Sequence, residues 1–454
     1  MTAGGVLERA LWLADLLVSA YTPPGGLLAR RVDAREGRIL NPGALVDELG
    51  DYAQYVWVLG RRTGRADLCA WALEQAHLAG RLHQRDCGLI LRRPTAAGRA
   101  VEFFNALEIG DTLWGLTELA ALSGDETVAR IRDRLVEGIW RLGLTGGQVA
   151  YGVLFRGRSR LAALPITEPM TAGYVGESLV NMHLDGKHPL DLTRASALLL
   201  PWLRTPSFEC HGLFTRWVTA PLPGLKAGLD LQFRLRGHHG LGICKLVKGD
   251  TYLAMALLAL QRVSPEERIR QGLGRWFQAL AGLRLPDGRF ANYLDPATGR
   301  RWWVRLGENH SVIEALIDLH VDLGLEGALD WAAACAEAWL ARRTPAGLVP
   351  EEDGSGRAFL DPQTDLSVDL FKLAELTGRA AYAEAAGRIL EAVWSRHRLP
   401  RGLSQSADDR TPQPGEVETK FLGLALKGLL VRDAFERGER LLGESSLRRL
   451  CSDR

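Results

Sequence analysis

Apolar residues recur along this chain in helical runs, and the runs come in pairs. One helix is followed by a short Gly or Asp turn, a second helix, and then a longer loop carrying Gly and Pro. The first clear copy is DYAQYVWVLGRRTGRADLCAWALEQAHLAG, from Asp51 to Gly80, and the next, DTLWGLTELAALSGDETVARIRDRLVEGIWRL, starts at Asp111. Further copies begin near Ala172, Asp250, Asn309, Asp365 and Glu418. Spacings of tens of residues mark an array of helical hairpins. In most copies the first helix is apolar all round (DTYLAMALLALQRV, HSVIEALIDLHVDLG), whereas the second is amphipathic (RAAYAEAAGRILEAVW). A helix that is apolar on every side is buried and an amphipathic one keeps a face in water, so the pattern predicts an inner ring inside an outer ring. Residues Val6 to Tyr21 form an unpaired amphipathic helix, and Val417 to Val431 an apolar one without a following partner. Pairing the two closes the circle. The predicted fold is all-α: one domain spanning 1–454, an (α/α)7 or (α/α)6 toroid with minor β structure in its long loops.

Composition changes this picture little. The 454 residues are 46% hydrophobic and 24% charged, ordinary globular values. A formal net charge of +2 gives no overall reason to expect nucleic acid as a partner. Cys69, Cys87, Cys210, Cys244, Cys335 and Cys451 are scattered, which predicts buried thiols rather than a disulfide framework. The N-terminal segment carries Glu8 and Asp15 inside its apolar stretch and lacks a basic start, so it is not a signal peptide. No apolar run approaches the length of a membrane span. The expected setting is cytoplasmic, with no membrane partner.

In a ring of hairpins the inner helices all start on one rim, and their first turns converge on a central funnel. Those starts are acidic: Glu48, Asp51, Glu108, Asp111, Glu168, Glu177, Asp250, Glu308, Asp365, Glu416 and Glu418. Each can serve as a cap or a dipole complement. As a set they also suit glycoside cleavage, in which one carboxylic acid protonates the leaving oxygen and one carboxylate attacks or activates water. Asp250, Glu308, Asp365 and Glu418 are the candidate catalysts, joined by His310 in GENHSVIEAL, whose imidazole titrates near neutrality. Tyr52, Tyr55, Trp114, Tyr174, Tyr252, Trp302 and Trp303 lie near the same helix starts and are candidate walls for sugar rings. Three long loops, from Arg81 to Leu107, Gly143 to Thr171 and Arg204 to Val247, carry a local excess of Arg and Lys, Arg216, Arg234 and Arg236 among them. Cations beside a rim of acids predict an anionic substrate, such as a uronate- or phosphate-bearing glycan. Cys210, His211, His238, His239 and Cys244 match no compact zinc spacing, so neither a metal nor a cofactor is expected. P-loop, GxSxG and dinucleotide motifs are missing from the strand-to-helix context they require.

The tail GLSQSADDRTPQPGEVETKFLGLALKGLLVRDAF resembles the last segment of class I alpha-mannosidases, and DPQTDLSVDLFKLAELTG is similar to the segment before it. The resemblance implies a toroid acting on carbohydrate and puts Glu418 at the family's funnel glutamate, with Thr419 at its serine. The chain departs from the family at Asp361, Gln363, Leu424 and Ala254, where the family has an arginine and three glutamates. N-acylglucosamine 2-epimerases are also similar, as toroids using histidines at inner-helix starts for proton transfer. That would pair His310 with His238 or His239. The expectation is thus a glycoside hydrolase or lyase, with a sugar epimerase or a non-catalytic glycan-binding toroid as alternatives.

Overall fold

In the computed structural model, the described residues are all except 1–2, 45, 93–100, 107–109, 187, 220–227, 229–242, 246–248, 409–413 and 443–454. Among them the helices are α1 (Ala3–Asp15), α2 (Ala53–Thr63), α3 (Ala66–His83), α4 (Gly110–Ser123), α5 (Glu126–Leu142), α6 (Pro169–Gly186), α7 (Pro189–Leu199) and the short α8 (Pro206–His211). They continue with α9 (Thr251–Val263), α10 (Glu267–Ala279), α11 (Leu306–Leu323), α12 (Ala328–Leu340), α13 (Leu360–Thr377), α14 (Ala380–Arg396) and α15 (Lys420–Glu436). Seven of these, α2, α4, α6, α9, α11, α13 and α15, pack side by side into a closed ring, since α15 also touches α2. Each carries one outer helix: α3, α5, α7, α10, α12 and α14 follow their inner partners, and α1 covers α15. The (α/α)7 expectation is met, including the pairing of the first helix with the last.

Local chemistry sets the hairpin turns. Gly324 and Gly378 end α11 and α13 in the left-handed conformation, with φ of 63° and 66°, where a side chain would strain the backbone. Asp125 caps α5, accepting from the backbone N–H groups of Thr127 and Val128. Inner helices sit close enough that Gly173 has no room for a side chain; a Cβ there would lie 2.7 Å from the carbonyl carbon of Tyr252. The ring seam is sewn by α1. Its Trp12 meets Trp394 edge-on at 5.3 Å, and Arg9 donates to Glu391 at 2.9 Å. A three-stranded sheet adds to the closure: Ala29–Asp33 pairs with Arg38–Ala44 on one side and with Glu416–Glu418, just ahead of α15, on the other.

The remaining short strands also lie in segments leading from one hairpin into the next. Glu102–Asn105, Ile166–Thr167, Tyr293–Asp295 and Arg357–Phe359 precede α4, α6, α11 and α13. They therefore build the rim on which the inner helices start. Among the described residues no helix is long and apolar enough to cross a membrane.

Candidate active site

A cavity of about 820 Å³ runs down the ring axis from that rim. Its walls follow one stripe of each inner helix at three- and four-residue steps. On α11 the stripe is His310, Glu314 and Asp318, on α13 Asp361, Asp365 and Lys372, and on α15 Lys420, Leu424 and Lys427. From His310 to Asp318 the helix rises about 12 Å, so the cavity reaches well below the first turns. The stripe is legible in retrospect as polar residues four apart in otherwise apolar helices, a spacing that places them on one face.

Two charged pairs cross this interior. Lys427 Nζ lies 3.0 Å from Asp365 Oδ1, and His310 Nε2 lies 3.5 Å from Asp365 Oδ2, which makes a Lys–Asp–His row across three helices. Burial would raise the Asp365 carboxyl, but Lys427 and His310 hold it below its ordinary value. Lys372 Nζ donates to Glu314 at 2.7 Å. There too burial acts upward on the carboxyl, and Lys372 with Lys427 overrides it, bringing Glu314 down to about 2. Two deeper acids go the other way: burial and the neighbouring Glu118 push Glu177 up to about 7, and burial pushes Asp318 up to about 6 against the pull of Lys372 and Arg262.

Nearer the mouth, Glu351, Glu352 and Glu308 gather by Arg305, with Glu352 Oε1 3.2 Å from its Nε. Glu351 Oε1 is 3.1 Å from Arg305 Nε, and Glu308 Oε2 is 4.0 Å from the same atom. Asp361 lines the cavity beside them. Glu351 is buried, its Oε1 accepts weakly from the Gly307 N–H at 3.4 Å, and its Oε2 has no hydrogen-bond partner. Burial, opposed by Arg305 but reinforced by Glu308 and Asp361, pushes this carboxyl up to about 8. At neutral pH Glu351 is therefore a protonated acid among carboxylates. Its segment, the loop LVPEEDG, carries no helix-start signal of the kind that marks the rim acids.

The other predicted residues divide between cavity and scaffold. Glu308, His310 and Asp365 line the cavity, as do Asp51, Asp111 and Glu177. Asp250 does not. It is fully buried beneath α9, where Oδ1 accepts from the Phe214 N–H at 2.7 Å and Oδ2 accepts from the Cys244 thiol at 2.8 Å, so it fastens the preceding loop. Glu418 does not either: it sits on a rim strand opposite Arg31, 3.2 Å from that guanidinium. Leu424, one helical turn on from Lys420, is what the chain presents to the cavity from that part of α15. Glu48 is 2.6 Å from Lys420, and Glu168 is paired with Arg216.

Among the aromatics, Tyr55, Trp114, Tyr174 and Tyr252 line the cavity, and the last two stack at 4.7 Å. Tyr52 is instead fully buried against Trp71, and Trp302 stacks on Tyr293 outside the cavity. Trp303 stands 54% exposed with φ of 56° and does not line the cavity. Arg234, Arg236, His238, His239 and Glu108 lie outside the described residues. Cys210 and His211 are exposed on α8, and among the described residues no three potential metal ligands come together. Exposed Cys210 also departs from the expectation of buried thiols.

Among the described residues the cavity wall is acidic. Ten Asp and Glu residues line the cavity against five Lys and Arg, Arg262, Arg305, Lys372, Lys420 and Lys427. Each of those five lies in ion-pair range of a carboxylate. Of the described loop cations, Arg156, Arg158 and Arg160 are exposed on a hairpin and Arg216 is paired with Glu168, and none of these four lines the cavity; Arg93, Arg234, Arg236 and Lys248 lie outside the described residues.

The architecture matches known structures along nearly its whole length. An alpha-1,2-mannosidase from Trichoderma reesei superposes with a TM-score of 0.65 at 12% identity, over 95% of this chain and 92% of that one. The fold is the (α/α) toroid. A D-mannose isomerase (TM-score 0.56, 12% identity, 94% of this chain and 97% of that) shares it. So does a cellobiose 2-epimerase from Spirochaeta thermophila DSM 6192 (TM-score 0.56, 14% identity, 82% and 97%). At such identities the likeness concerns the fold alone. No protein-family profile matches the sequence, and a search of curated proteins finds no relative.

Proposed function

We propose that this toroid is a glycoside hydrolase acting on a neutral oligosaccharide in its axial cavity. The observation that carries the reading is Glu351, a buried carboxyl held protonated at neutral pH within a group of carboxylates on the cavity wall. Glycoside cleavage needs that asymmetry: one acid to protonate the leaving oxygen, one carboxylate to attack carbon or activate water. Glu351 takes the first role, Glu308 or Asp361 the second. Tyr174, Tyr252 and Trp114 offer flat faces to the sugar. Toroids of this fold include an alpha-1,2-mannosidase, which supports a sugar ligand. A purely glycan-binding toroid would want its carboxylates paired and ordinary. The upward shifts of Glu351, Glu177 and Asp318 favour catalysis instead.

The test replaces Glu351, Glu308 and Asp361 singly by their amides and follows release of reducing sugar from a panel of neutral oligosaccharides. Glu351→Gln should lose most activity on ordinary glycosides yet retain it on an activated aryl glycoside, whose leaving group needs no proton. Full activity in all three variants would remove this cluster from the chemistry.

A second reading, sugar isomerisation or epimerisation, is favoured by the His310–Asp365 contact, which orients an imidazole beside the cavity as a proton carrier. D-mannose isomerase and cellobiose 2-epimerase share the fold.

A further inference from the structure

Ten large apolar side chains stand exposed among the described residues, and five of them gather on or beside one three-stranded sheet. The sheet joins Glu102–Asn105, Gly152–Arg156 and Ser159–Ala163 in that order. Register places Phe103 opposite Leu154 and Leu154 opposite Ala162, in one row across its outer face. Phe103 and Leu164 close over Gly152, where a Cβ would meet them at 2.6 and 3.3 Å, so the patch is continuous. With Val101 and Leu161 its members range from 40% to 55% exposed. The inner face, Phe104, Val153 and Phe155, is core. A surface sheet ordinarily alternates apolar-in and polar-out, and this one is apolar on both faces.

The hairpin tip supplies charge of one sign. Arg156, Arg158 and Arg160 are all exposed. Arg160 donates to the Leu144 carbonyl, while Arg156 and Arg158 form no ion pair among the described residues. The sheet's own carboxylate, Glu102, is held by Arg85 at 2.8 Å. The strands belong to the segments entering α4 and α6, so the patch lies on the rim around the cavity mouth.

We propose that this sheet seats the toroid, mouth rim first, on an anionic lipid surface. Aliphatic and phenyl side chains flanked by guanidinium groups fit the headgroup boundary, where the apolar groups enter the acyl region and the arginines take lipid phosphates. An acidic polysaccharide fits less well, because four of the five apolar side chains are aliphatic and offer no flat face to a sugar ring. A second copy placed face to face would bring two sets of arginines together without acids to balance them. The inference does not depend on the reaction in the cavity.

The experiment is flotation of the whole protein with vesicles of phosphatidylcholine, with and without phosphatidylglycerol, at low and high salt. Binding should require the anionic lipid and weaken with salt. At about fivefold per arginine, R156Q/R158Q should reduce partitioning about 25-fold. L154S/L161S should reduce it with the charge unchanged, and both variants should melt as the parent does because the altered residues are exposed. Absence of flotation with anionic vesicles would overturn the proposal. So would binding to soluble polygalacturonate in place of vesicles, or a concentration-dependent dimer abolished by L154S/L161S.

Discussion

Replacing Glu351 by Gln should make the protein more stable and less active at the same time, and the stability gain should depend on pH. The carboxyl is buried and pushed up from 4.5 to about 8, so the folded state prefers it protonated. Below pH 4.5 it is protonated whether the chain is folded or not, and the group has no pH-dependent effect. Between 4.5 and 8 the unfolded chain ionises it while the folded chain keeps the proton, so folding stability falls by about 1.4 kcal/mol per pH unit. Above 8 both states are ionised and the loss levels off, at roughly 5 kcal/mol. Glutamine is neutral throughout and keeps an acceptor for the Gly307 N–H. The variant's advantage should therefore be near zero at pH 4.5, about 3 kcal/mol at pH 7 and largest above pH 8. Urea unfolding of both proteins across this range measures the gap directly. A gap that stays flat would mean Glu351 is ionised in the fold as an ordinary partner of Arg305, and its role as proton donor would fall with it.

Two further substitutions separate scaffold from site. Asp250→Ala leaves the Phe214 N–H and the Cys244 thiol without their buried acceptor and should cost about 2 kcal/mol in urea unfolding, with turnover per folded molecule unchanged; a fall in kcat would restore Asp250 to the chemistry. Lys427→Met strands the Asp365 carboxylate in the interior, which should destabilise the fold at pH 7 by about 3 kcal/mol and raise the Asp365 pKa, moving the acid limb of any activity profile that depends on ionised Asp365 to higher pH. An unmoved limb would exclude Asp365 from that role.

The ring was legible because burial leaves a periodic signature. An apolar first helix and an amphipathic second, repeated with Gly turns, are readable without any contact map, and the unmatched helices at the two ends implied the closure that α1 and α15 make. The rim acids were half legible, since acids at helix starts serve equally as caps, loop anchors and cavity walls. Asp250 and Glu308 look alike in sequence, yet one turns inward under its loop and the other faces the axis. Glu351 gave no helical signal, and its character comes from burial, reinforced by Glu308 and Asp361 against the pull of Arg305, all brought together by separate segments. Lys372 and Lys427 drew no notice in the sequence, because their partners Glu314 and Asp365 sit on neighbouring helices, a juxtaposition that only the ring creates.

The central claim is that the cavity cleaves a glycosidic bond by carboxyl chemistry. The most direct measurement incubates the protein with a panel of neutral oligosaccharides in deuterium oxide and reads the products by mass spectrometry and NMR. Hydrolysis predicts shortened sugars with a new reducing end and no deuterium on carbon, dependent on Glu351. Intact sugars carrying carbon-bound deuterium, lost on substitution of His310 and unaffected by E351Q, would contradict the account and assign the cavity to epimerisation.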